Sequence, residues 1–294
     1  MYFLHVLKSI FRPANIGTII FFLLNAAFMV MYLSNGEPEG MLIVGVVYIF
    51  SVILALSPLG EWVVAFFAGA RKLKRKDMKD KITPIVEKVY KAAYEKSGRA
   101  LGRVIILKVM HDPEPNAYAI GRRTICVTEG LLDLSDEMIE GIIAHELGHL
   151  AMHHTVIQLM IGGGNFFITG FILIFKIIHY IKGFWAALDL FRKGGEDIVG
   201  LIFNLIDILT AVLVWLWTRF CMLFLCWSGR ANEYEADKYA AEIGYGYNLA
   251  AALDLIGNGK PNNSFLKALY ASHPATHDRI AKLQELGVPY SRYA

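Results

Sequence analysis

Five consecutive residues, His145-Glu146-Leu147-Gly148-His149, hold the most chemically suggestive spacing in the sequence. Residues four apart share a helix face, so His145 and His149 can turn both imidazoles toward one zinc ion. Glu146 stands beside that face, where it can reach an attacking water without being a ligand. The flanking residues favour a helix. Ser135 can cap its first turn, Asp136 and Glu137 suit its dipole, and Leu134 can staple onto Ile139. The competing reading is a chance match on a buried helix.

Two ligands do not complete a catalytic zinc site; a third is needed, with one position left open. His153 continues the same face, but eight residues of helical rise separate it from His145 by roughly 12 Å, too far to share one ion. Six residues past His149, where another common spacing would place a histidine, stands Thr155. The third ligand therefore comes from elsewhere, and His153 and His154 read as polar residues at the helix end.

The elements around this helix follow from composition. The chain has 294 residues, 55% of them hydrophobic, and a mean hydropathy of +0.44. The apolar residues cluster, which suggests a membrane protein carrying a folded polar domain. The net charge of +3 is modest. Cys126, Cys221 and Cys226 form no paired framework and no C-x-x-C, which fits a reducing compartment and gives no zinc-ligand pattern.

Residues 17–33 form a first apolar run after Lys8 and Arg12, read as an uncleaved anchor rather than a signal peptide. An acidic, turn-rich link at 34–40 leads to a second run at 41–69, broken by Pro58 and Glu61. Its first part is expected to span, with 62–67 at the interface. The basic run at 71–81 has no aromatic interleaving and no recognition fold, so nucleic acid is not expected as a partner. It reads instead as a positive-inside signal that places both basic ends in the cytoplasm.

Residues 83–98 read as an amphipathic helix capped by Thr83, with Pro84 first and Gly98 at the end. A strand is expected at 103–110, then a hairpin of 116–120 and 124–128 around Gly121-Arg122. A strand beside a metal site can hold an extended peptide by backbone pairing, or can be a plain structural edge. A third span is expected at 156–175, with Gly162, Gly163 and Gly164 near its cytoplasmic end, and a fourth at 198–218. Asp207 in the fourth is either functional or a helix-packing group.

Residues 230–237 then open another polar helix. Glu233 and Asp237 share a face on it, while Glu235 points away. His149 lies about 10 Å before the third span and Glu233 about 9 Å after the fourth, so a hairpin of those spans brings both out at one height. Short helices are expected near 249–256 and 264–271. After Ser272-His273-Pro274, an amphipathic turn ends at Gly287.

Taken together, these residues resemble the HtpX-like membrane zinc metallopeptidases, relatives of the CAAX prenyl endopeptidases. The likeness rests on the two N-terminal spans, Asn116-Ala117-Tyr118-Ala119, His145 through His149, the span hairpin, Arg230 through Asp237, and Ser272-His273-Pro274 with Arg279. It implies Glu233 as third zinc ligand and Asp237, Arg230 and Arg279 around the ligands. It further implies Asn116, Ala117 and Tyr118 as holders of substrate backbone, and His273 beside Glu146 as a stabiliser of the developing oxyanion. Ala275 stands where relatives often carry a second proline.

The fold class expected is α+β and mostly helical: four transmembrane helices carrying a zincin-like domain with a small antiparallel sheet. Residues 1–70 would form one membrane hairpin and 156–227 another. Residues 71–155 and 228–294 would form the peptidase domain, on the cytoplasmic side of the inner (plasma) membrane. The implied activity is zinc-dependent endopeptidase cleavage of misfolded or damaged membrane proteins, in quality control. A site-2-type protease is disfavoured because Leu132-Asp133-Leu134 and Leu188-Asp189-Leu190 lack the glycine of that class. CAAX processing needs a larger chamber, and a non-catalytic scaffold would not need the intact His145, Glu146, His149 and Glu233.

Overall fold

The computed structural model describes residues 8–34, 37–101, 105–160, 198–257 and 274–291. A 3-10 turn at Pro13–Asn15 leads into α1 (Ile16–Ser34), which packs on α2 (Pro38–Ala55). Pro58 then opens α3 (Pro58–Phe67), whose first turn is capped by the Ser57 hydroxyl accepting from Gly60 N–H. Among the described residues, α2 is the helix long and apolar enough to cross a membrane, with a mean hydropathy of 2.0 and 17% of its window buried. The first expected span falls on α1 and the fourth on the start of a later helix. Most of the third, the side chain of Asp207 and the helix near 264–271 lie outside the described residues.

The basic run forms more than a linker. Arg71–Lys72 is a short strand, β1, paired antiparallel with β2 (Ile106–Met110). The helix after it, α4, runs from Lys76 to Ser97, so it starts well before the Thr83 cap expected from sequence and carries Pro84 inside. Proline gives residue 80 no N–H, yet Pro84 is exposed, where that carbonyl can meet water. Burial of Met78 and Ile82, continuous with Ile85, Val86, Val89 and Ala93, extends the helix across the proline. Gly98 ends it at φ 54, as expected.

The sheet is mixed rather than antiparallel. Strands β3 (Ala117–Ile120) and β4 (Thr124–Thr128) form the expected hairpin, with Gly121 at φ 61 in its turn. Yet the strand order is β1-β2-β4-β3, and β2 pairs parallel with β4. The cause is burial. Every residue of β4 is buried, so it takes an inner position, while β3 with its exposed Tyr118 lies at the edge. The short 111–116 connection runs β3 opposite to β2, so β4, antiparallel to β3 and lying between them, pairs parallel with β2.

Helix α5 (Asp136–Ala151) is the hub of the domain. It packs against α4, β3, α6 (Ile198–Glu242) and α7 (Gly246–Ile256), with α8 (Thr276–Glu285) resting on α6 and α7. Ile139, Ile143, Leu147 and Leu150 join the main core with Leu134, Tyr239 and Leu249. Helix α6 is one continuous element of 45 residues, so the polar segment at 230–237 extends the fourth apolar run rather than starting anew.

Candidate metal centre

The Ser135 hydroxyl accepts from Met138 N–H at 3.3 Å, the cap read from sequence, and starts α5 where it faces α6. Gly148 lets the two helices approach. A Cβ there would lie 3.1 Å from the Ala236 Cα and carbonyl oxygen. That approach brings Glu233, one turn away on α6, onto the histidine pair.

His145, His149 and Glu233 are all buried and converge on one point. The Nε2 atoms of the two histidines are 3.1 Å apart. Glu233 Oε2 is 3.5 Å from His145 Nε2, and Oε1 is 3.3 Å from His149 Nε2. A tetrahedral zinc with ligand distances of about 2.0–2.1 Å has ligand–ligand edges of about 3.3–3.4 Å. The three separations bracket that value, so the donor set fits zinc in both chemistry and size.

Asp237 lies behind His145. His145 Nδ1 donates to Asp237 Oδ1 at 2.8 Å, leaving Nε2 for a metal. The Arg279 guanidinium forks the same carboxylate, with Nε to Oδ2 at 2.8 Å and Nη2 to Oδ1 at 2.6 Å, and its Nη1 lies 3.3 Å from Glu233 Oε2. Burial disfavours ionisation of Asp237, but the hydrogen bonds from Arg279 and His145 outweigh it and hold the carboxyl below its ordinary range. Burial and the Arg279 charge also disfavour a proton on His145. The hydrogen bonds to Asp237 and Glu233 outweigh them, and its pKa is pushed up to about 10. A metal cation competes with that proton for the same nitrogen.

Glu146 is buried beside the ligands, and its Oε2 accepts from Ala119 N–H on β3 at 2.6 Å. Burial raises its pKa, opposed by the neighbouring histidines. A cavity of about 490 Å³ opens over these groups, lined by Asn116 through Ala119 and by Leu249, Leu253 and Thr276 among others. Asn116, Ala117 and Tyr118 thus line the cavity. The outward N–H of Ala117 is met by Asn116 Oδ1 at 2.8 Å, and the Asn116 amide donates to the Tyr118 hydroxyl.

Arg230 is half-buried on α6 and is not among the residues lining the cavity. His273 lies outside the described residues. Two residues that the sequence reading set aside do join the site. His154 is fully buried rather than a polar helix end, with Nδ1 3.1 Å from His149 Nδ1. Its Nε2 lies 3.1 Å from Glu235 Oε2, so Glu235 meets a partner of its own on the other side of the centre from Asp237. Burial lowers the His154 pKa to about 4, against the opposing hydrogen bond to Glu235. The signal for this lies in the backbone. α5 ends at Ala151 with Met152 as its cap, and His153 adopts φ 62, turning the chain before residues 154–160 resume a helix.

Among known proteins, the chain is 29% identical over 202 residues to a protease HtpX homolog of Caldanaerobacter subterraneus, covering 61% of this chain and 65% of that protein. It is 26% identical over 316 residues to a protease HtpX homolog of Halobacterium salinarum, covering 92% and 99%. The chain thus spans just under two thirds of the first relative and nearly all of the second. Of solved structures, S. mikatae Ste24p matches with a TM-score of 0.49 at 23% identity, over 88% of this chain and 61% of that one. The model of peptidase family M48 matches residues 80–287, a stretch that holds the whole α5–α6 centre, and the chain belongs to that family.

Proposed function

We propose that this protein is an integral-membrane zinc endopeptidase that hydrolyses peptide bonds of membrane proteins, misfolded or damaged ones included. The observation that carries the reading is the triangle of His145 Nε2, His149 Nε2 and Glu233 carboxylate, spaced as the edges of a zinc tetrahedron. These three residues would hold one zinc. Bound zinc would acidify a water and polarise the scissile carbonyl.

The remaining chemistry belongs to the chain. Glu146 is the general base. Ala119 N–H anchors its Oε2, leaving Oε1 to take the proton of the attacking water and then deliver it to the leaving amine. Its burial-raised pKa suits a carboxylate that must hold a proton between the two steps. Asp237 and Arg279 orient His145 and Glu233 rather than touch substrate. The β3 edge at Asn116, Ala117 and Tyr118 accepts the substrate backbone as an added strand along the cavity. The resemblance adds His273 as oxyanion donor.

The membrane part of the proposal is supported by α2, whose Leu42, Ile43, Val46, Ile49, Phe50 and Ile53 are exposed apolar groups along the helix. Residues 1–70 and 156–227 would form two membrane hairpins. Residues 71–155 with 228–294 would form the peptidase domain on the cytoplasmic face, beside the basic ends at Lys8, Arg12 and 71–81.

The test is purification of the full chain in detergent without chelator, comparing wild type with Glu146→Ala. Both proteins are expected to hold about one zinc, and only the wild type is expected to cut casein or itself. Absence of zinc from both overturns the ligand assignment. Equal cutting by both overturns the role of Glu146.

A further inference from the structure

We propose that His154 and Glu235, pinned by Arg12 of the N-terminal segment, are positioning residues that fix the tautomer and orientation of His149. This rests on the reading of His149 as a zinc ligand. The geometry sets the direction of every proton in the chain. His149 faces His145 and Glu233 with Nε2, so Nε2 is the metal-binding atom and the ring proton must sit on Nδ1. Nδ1–H then donates to His154 Nδ1 at 3.1 Å. His154 can accept there only if its own proton is on Nε2. Glu235 Oε2, 3.1 Å from that Nε2, can only accept, and so selects this tautomer. Without Glu235, His154 could instead donate from Nδ1 and force the proton of His149 onto the metal-binding nitrogen.

The arrangement mirrors the Asp237–His145 pair but reaches further. Glu235 lies 3.6 Å from Arg12 Nη1, and the same guanidinium contacts the Met152 sulfur at the end of α5. The Ser9 hydroxyl donates to the Met152 carbonyl, and the Asn232 amide of α6 donates to Asn15 Oδ1 at 3.2 Å. The segment that precedes α1 therefore braces both α5 and α6 behind the second histidine. The N-terminal anchor is thus tied to the metal site by side chains, not only by membrane insertion.

The experiment measures zinc affinity of full-length, detergent-purified protein by chelator competition, with the melting temperature after chelation as a control for folding. His154→Phe keeps the ring and loses both nitrogens; it is expected to weaken zinc binding about 10–100-fold, the usual effect of removing a ligand's outer partner. His154→Asn, which restores an acceptor near the Nδ1 position, is expected to recover most of that loss. Glu235→Leu, at a partly exposed site, is expected to lose about tenfold. With zinc in excess, kcat should return in the variants while KM for casein stays unchanged. Wild-type affinity in His154→Phe or Glu235→Leu, beside a lost affinity in His149→Ala, overturns the positioning role alone. Equal losses in the Phe and Asn variants would show that an acceptor facing His149 Nδ1 does not restore binding, and would overturn it too. A wild type that binds no zinc overturns the ligand reading and this proposal with it.

Discussion

Replacing Arg279 by leucine separates the charge balance of the centre from its ligands. Arg279 places two N–H groups on Asp237 at 2.8 and 2.6 Å and a third 3.3 Å from Glu233. The side chains of Asp237 and Glu233 are only 1% and 8% exposed. Leucine fills part of the space but removes the guanidinium from two buried carboxylates, leaving protonated His145 as the cation they share in the metal-free protein. Removing one partner of a buried pair costs about 3–5 kcal/mol. For a domain of this size each kcal/mol moves the melting point by about 2–4 °C, so a drop of roughly 6–20 °C is expected in chelated protein. Zinc bears two positive charges and would sit against Glu233, so saturating zinc should recover more of the melting temperature in Arg279→Leu than it adds to the wild type. Arg279→Lys keeps the charge but not the fork and should fall between the two. The assay is tryptophan fluorescence against temperature in detergent, with and without zinc. A leucine variant that melts within about 2 °C of wild type under chelation would refute the reasoning, because a drop of that size is less than 3 kcal/mol can give.

Two glycines of α5 should differ in cost when replaced by alanine. At Gly141 the added Cβ would lie 2.2 Å from the Leu249 backbone nitrogen, and at Gly148 it would lie 3.1 Å from Ala236. Gly141→Ala must displace α7 and should lower the melting temperature more than Gly148→Ala, for which about 1–3 kcal/mol is expected; Gly148→Ala should instead show the larger fall in zinc affinity, since it moves α6. Cys126 gives the pH prediction. It is fully buried in β4, and burial pushes its thiol up to about 11. The unfolded thiol ionises near 8.5, so the unfolded state gains from pH first. The contribution of Cys126 to stability is therefore complete below about 8.5 and is lost as pH rises toward 11, and Cys126→Val should flatten that alkaline slope in melting curves.

The parts of the fold legible in the sequence were those with local causes. The Ser135 cap, the Gly98 stop and the Gly121 hairpin each follow from one residue's backbone or side-chain chemistry. The start of α4 was hidden because Pro84 reads as a first-turn signal, while burial of Met78 and Ile82 against the rest of the core is a tertiary effect. The parallel pairing of β2 with β4 was hidden for the same reason: the hairpin sets only how β3 meets β4. The unbroken burial of Thr124 through Thr128 was nevertheless visible as a run without polar alternation, and it marks an inner strand.

The metal ligands and their outer partners differ in a more instructive way. His145 and His149, and likewise Glu233 and Asp237, stand four apart, so helix periodicity puts each pair on one face, while the ligand role of Glu233 is implied by the family resemblance. His154 is five residues past His149, and an unbroken α5 would carry it to the far side of the helix. It reaches His149 only because His153 leaves the helix at φ 62, a conformation that asparagine, aspartate and histidine adopt more readily than most side chains. Periodicity likewise turns Glu235 away from the Glu233–Asp237 side. It faces instead the residue that the break at His153 swings into place. One helix end thus turns two residues that periodicity assigns to solvent into the support of the second histidine, and a His153→Gly variant, which keeps φ 62 accessible, should preserve zinc affinity better than His153→Val, which strains it.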